Sequence, residues 1–90
     1  MNERDQQIVK GILGFLDKLR GGQSIETIIH AHVQQQMRFA GEPPASLAEF
    51  QGCLVLCDQR GYILGVSAKV TQQMKWSLSD EGKAALIELR

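Results

Sequence analysis

Between residues 4 and 20 the apolar positions Ile8, Val9, Ile12, Leu13, Phe15, Leu16 and Leu19 recur with helical spacing. At 100° per residue they fill one arc, and Lys10, Gly14, Asp17 and Lys18 fill the other, which predicts an amphipathic helix. Gly21 and Gly22 end it. Ser24 then reads as the N-cap of a second helix, with Glu26 in the first turn, where the helix dipole favours an anion. Ile25, Ile28, Ile29 and Val33 form its apolar stripe. After Val33 the stripe gives way to three glutamines, and "GEPP" at residues 41–44 stops the helix.

A third helix opens at "SLAE", with Ser46 as N-cap and Glu49 three residues on, the spacing of a reciprocal capping box. Leu47, Phe50, Cys53, Leu54 and Cys57 share one face, and Gly61 closes the helix in a left-handed conformation. The period then changes from 3.6 to 2. A strand near residues 62–66 and another near 74–78 flank a polar connection from Ser67 to Gln73, the pattern of a hairpin. In the second strand Met74, Trp76 and Leu78 point one way, Lys75 and Ser77 the other. Ser79 caps a last helix with Asp80 and Glu81 in its first turn, and Ala85, Leu86 and Leu89 face inward.

A two-stranded hairpin is marginal alone, so it must lie against helices, and the last helix returns to cover it. The expected fold is mainly α with a β-hairpin (α+β), one domain over residues 1–90. Both faces of the hairpin are apolar, because Ile63 opposes Tyr62, Leu64 and Val66. With Ile63 inward, Leu64 and Val66 are left outward, and Met37 and Phe39 add apolar surface beyond the stripe of the second helix. A homodimer is the expected way to cover such a surface. Trp76 is expected in the core with Met74 and Leu78, rather than as a stacking platform for single-stranded bases.

Composition narrows the class. A hydrophobic fraction of 43% suits a globular chain and is too high for a disordered one. Ten basic residues balance ten acidic ones, which counts against binding nucleic acid through phosphate contacts alone. Charges recur every few residues from the start, so neither a signal peptide nor a membrane span is expected. Two cysteines are too few for a disulfide framework, and the cytoplasm is the expected compartment.

The segments "DQRGYI" and "WSLSDEGKAALIEL" around a hairpin resemble the C-terminal half of winged helix-turn-helix domains. The matching positions are Gly61, Tyr62 and Ile63 at the end of the recognition helix, then Leu78, Ser79, Gly82 and Leu86. "GYILGV" and "LSDEGKAAL" look most like the small YjcQ-like proteins found among prophage genes. The likeness covers residues 45–89 as pattern and the first two helices by order. It implies a winged helix: three helices, a two-stranded wing and a C-terminal helix. In the DNA-binding members the second helix is short and tightly joined to the third. Here it is long, and the connection "FAGEPPA" is loose.

The solvent face of the third helix carries Ala48, Gln51, Gly52, Val55 and Gln59. Glutamine can pair bidentately with adenine, and small residues allow close approach to a base edge. The same face suits a protein partner. Arg60 would attract phosphates, as would Lys69 and Lys75 on the wing, whereas Glu49 and Asp58 would repel them. The residues expected to contact DNA are Gln51, Val55, Gln59, Arg60, Lys69 and Lys75. His30 and His32 lie about 200° apart on a helix and cannot face one metal. Cys53 and Cys57 fall on a buried face without the tight loops of zinc sites. His32 is expected as a hydrogen-bonded core or interface residue. No metal or cofactor is expected, and no catalytic motif occurs. The resemblance thus implies one of two functions: a small winged-helix DNA-binding protein, of the kind that regulates transcription in prophages, or a winged-helix protein-interaction module.

Overall fold

Asn2 begins the first helix by accepting a hydrogen bond from the Asp5 backbone N–H at 2.7 Å. In the computed structural model, which describes residues 1–67, 70 and 72–90, the elements follow in a simple order. They are α1 (Glu3–Lys18), β1 (Ser24–Ile25), α2 (Glu26–Phe39), α3 (Leu47–Gln59), β2 (Ile63–Ser67), β3 (Met74–Leu78) and α4 (Asp80–Leu89). Helix α1 is the centre of the molecule. Its apolar arc is buried along its length, and α2, α3, α4 and β3 all pack on it.

The start of α2 differs from the sequence expectation. Ser24 is not its N-cap. Ser24 and Ile25 form the short strand β1, antiparallel to β3, with Ser24 opposite Trp76 and Ile25 opposite Lys75. The sheet therefore has three strands, in the order β1-β3-β2, instead of the two expected. The physical reason is the far edge of β3, whose backbone groups need partners and find them in the extended segment before α2. Ile25 takes the N-cap position without a side-chain bond. It also leaves the helix stripe, which continues instead through Ile29, Val33 and Met37 at four-residue spacing, all buried. The stripe does not fade at Val33, and Met37 is core. Phe39 remains outside, 83% exposed.

The connection from α2 to α3 is pinned rather than loose. Gln34 donates to the Ala45 carbonyl at 2.6 Å and accepts from the Ala45 N–H at 2.7 Å. The His30 ring nitrogen lies 3.0 Å from the same carbonyl, and the ring stacks on Phe50. From the other side, the Arg4 guanidinium donates to the Pro43 and Pro44 carbonyls at 2.9 and 3.0 Å. It also forms a two-pronged pair with the Glu49 carboxylate at 3.0 and 3.3 Å. Glu49 simultaneously closes the expected capping box with Ser46.

Helix α3 ends as expected. Gly61 has φ +74°, and Tyr62 N–H donates to the Cys57 carbonyl at 2.9 Å, satisfying a carbonyl the helix leaves unpaired. The chain enters β2, which pairs with β3 so that Ile63 faces Leu78, Gly65 faces Trp76 and Val66 faces Lys75. Ile63 is buried, whereas Leu64 and Val66 stay 56% and 53% exposed. A side chain at position 65 would meet the indole of Trp76 at 2.7 Å, so glycine makes room for that ring. Trp76 and Leu78 pack against the core but are half-buried, and Met74 is exposed. Ser79 caps α4 through the Gly82 N–H, donates its hydroxyl to the Gly61 carbonyl and gives its own N–H to the Tyr62 carbonyl. The end of α3 and the start of α4 are thus tied to the same two residues.

Candidate recognition face on the third helix

Helix α3 buries Phe50, Cys53, Leu54 and Cys57 against the core, which fixes what it presents to solvent. Ala48, Gln51, Gly52, Val55 and Gln59 are all exposed, as the 100° count expects. Leu47 was expected on the buried face and is instead 55% exposed. As the first residue after the N-cap, it sits where the capping box turns the chain out of the core. Leu47, Gln51, Val55 and Gln59 therefore make an exposed row, four residues apart, that alternates apolar and amide side chains.

Gln51 is not free on this face. Its amide nitrogen donates to the Glu26 carboxylate at 2.9 Å. The first turn of α2 thereby sets a carboxylate beside the middle of the α3 row. In the sequence Glu26 shows itself only as a partner of its own helix dipole. Its contact with Gln51 spans 25 positions, and no local pattern reports it.

Arg60 is the C-cap of α3 and is exposed, close in sequence to the exposed Asp58. Lys75 is exposed in the central strand, with Val66 on one side and Ile25 on the other. Lys69 lies outside the described residues. Gln51, Val55, Gln59 and Arg60 are thus brought together along one helix, while Lys75 stands in the sheet.

The two histidines go to different neighbours. His30 faces α3 through Phe50 and Ala45, and His32 stacks on Phe15 of α1 with ring centres 4.1 Å apart. His32 is exposed, so of the core or interface placements expected for it the core one does not hold; Phe15 lies beneath its ring. Burial pushes the Cys53 thiol up to about 11, with the nearby Asp5 carboxylate adding to the effect. Burial likewise pushes Cys57 up to about 12. Both are protonated thiols at neutral pH, unsuited to act as nucleophiles. Among the described residues, no group of three or more His, Cys, Asp or Glu side chains is placed to hold a metal ion. No described helix is long and apolar enough to cross a membrane.

A shallow cleft of about 340 Å³ opens between the start of α2 and the entry to β3, lined by Ile25, Glu26, Thr27, Gln72, Gln73, Met74 and Trp76. Glu26 therefore stands between this cleft and the α3 row. No family model, curated protein or solved structure matches the chain.

Proposed function

We propose that the protein is a winged-helix domain that binds another protein through the outward face of α3. The fold reading is supported by the element order and by the two motifs that carry the resemblance. Gly61-Tyr62-Ile63 forms the turn out of α3, and Ser79 and Gly82 start α4 against that turn. The observation that carries the functional reading is the hydrogen bond from Gln51 to Glu26. It engages the amide that would read a base and sets beside it a carboxylate, a charge that repels phosphates. Leu47 and Val55, each more than half exposed beside it, supply apolar area of the kind a protein interface buries.

A second reading is favoured by the other end of the helix. Gln59 and Arg60 are both exposed there, and an exposed arginine can contact a phosphate. On this reading the protein is a small DNA-binding regulator of the prophage-associated kind. Its few cations would give only a shallow salt dependence, since each neutralised phosphate contributes a slope of about 0.9.

Titration of labelled duplex DNA at low salt separates the two. The protein-binding reading expects affinity no better than that of an unrelated neutral protein, with no change as salt rises. Tight binding that weakens with salt and is lost in Arg60→Gln would overturn it. For the positive arm, a partner captured by the wild-type chain should be lost with Val55→Asp and kept with Ile87→Asp, an exposed change on α4.

A further inference from the structure

We propose that the open edge of β2 pairs with the same edge of a second copy of this chain, antiparallel and centred on Val66. Among the described residues, strand β2 is the end strand of the sheet, and one side of its backbone has no neighbouring strand. Which groups lie on that side follows from the ladder. Ser79 N–H donates to the Tyr62 carbonyl, which makes these two a hydrogen-bonded pair. Antiparallel pairs alternate, so Leu64 with Ser77 and Val66 with Lys75 also bond to each other. The N–H and C=O of Ile63, Gly65 and Ser67 therefore point to the free edge. Ile63 is only 1% exposed, so the accessible stretch runs from Leu64 to Ser67.

Sheet edges in monomeric proteins are normally guarded by a charge, a proline or a bulge. The sequence "LGVS" at residues 64–67 has no charge and no proline, and its pairing with β3 runs without a bulge. Within the accessible stretch, one register uses both outward residues of each copy. Gly65 exchanges its backbone bonds with Ser67 of the second copy, and the reverse pair repeats across the two-fold axis. This sets Val66 against Val66 of the second copy as a close, non-hydrogen-bonded pair, with each Leu64 diagonal to it. Leu64 and Val66, both more than half exposed in the single chain, then cover one another on the outer face.

Charge points to the same occupant. The four residues of the edge are uncharged, so none of them repels its counterpart in a second copy. Lys75 lies one strand inward from Val66 in each copy. At about 4.8 Å per strand the two lysine positions fall roughly 14 Å apart, beyond the screening length of ~8 Å at physiological ionic strength. The contact is small against the ~800 Å² per partner of a stable complex. The pair therefore forms in equilibrium with the single chain, not as a permanent dimer. It leaves the α3 face open and does not rest on the function proposed for that face.

Sedimentation of the whole chain over rising concentration, up to the millimolar range, should show the average mass climb toward twice that of one chain. Val66→Lys, a change at an exposed position, should hold the chain at the single mass with an unchanged far-ultraviolet spectrum. Under mild oxidation Val66→Cys should form a disulfide-linked pair readily, whereas Leu64→Cys should not, because only position 66 meets itself across the axis. A wild-type chain that stays single at every concentration would overturn the proposal. So would a Val66→Lys variant that associates like wild type, or a Leu64→Cys variant that cross-links more readily than Val66→Cys.

Discussion

At the scale of single residues, two glycines in helices have opposite reasons to be there. A side chain at position 82 would collide with the backbone carbonyl of Tyr62, which cannot swing aside as a flexible side chain would. Gly82→Ala should therefore cost about 2–4 kcal/mol, in the range of severe overpacking. Gly52, in the middle of α3, has nothing among the described residues within 4 Å of such a side chain. There alanine restricts only the unfolded chain, and Gly52→Ala should stabilise by about 0.5–1 kcal/mol. Urea denaturation of the two variants checks both signs. Trp76 falls between these cases. It packs on the core and fills the space above Gly65, but it is half-buried. Trp76→Ala should cost about 2–3 kcal/mol, less than the loss of a fully buried ring, because part of its surface is already wet. A melting temperature unchanged by this substitution would show that the indole stands away from the core.

At the scale of elements, the joint between α2 and α3 is held from both sides, and each side has its own test. Gln34→Ala would leave the buried Ala45 N–H without a partner and should cost about 1–3 kcal/mol, measurable by thermal denaturation. On the other side, the hydrogen bond from Arg4, aided by the Ser46 backbone, holds the Glu49 carboxyl at about 2, below its ordinary 4.5. As the pH falls, the unfolded chain takes up this proton before the folded one does. The stabilisation is complete above pH 4.5 and is lost as the pH drops toward 2. Arg4→Met should flatten the stability profile in that window, and equal slopes in the two proteins would remove the clamp as its source. What was legible in the sequence follows the same division. The caps at Ser46 and Ser79 and the turn at Gly61 depend on residues within a few positions, and local spacing gave them away. Strand β1 depends on Trp76, some fifty positions downstream, and before that partner is known Ser24 reads equally well as a cap. Gln34 and His30 were invisible for the same reason, since their partner is a backbone peptide with no side-chain signature.

At the scale of the whole molecule, the buried thiols report on cooperativity. Cys57 has no exposed surface, and its thiol is held protonated up to about pH 12. Its alkylation at neutral pH should be slow and should rise with the equilibrium population of the open chain. Fast labelling under native conditions would mean that α3 opens locally. The outward face of α3 was readable at this scale because one apolar arc predicts its complement. The sense of that face was not, because Glu26 reaches it from another helix. The outward placement of Leu64 and Val66 was also readable, since a strand alternates and Ile63 must go inward.

The central position of α1 has a consequence in time. Its apolar arc, from Ile8 to Leu16, is the first part of the core to be synthesised, and β3 and α4, which help to cover it, are the last. At about 5–20 residues per second, the helix waits for its final neighbours on the order of seconds. Until α4 leaves the ribosome, an arc fit to bury four elements has only part of its cover. The arc of α1 is therefore fully covered only after α4, the last of these elements in chain order, has been made.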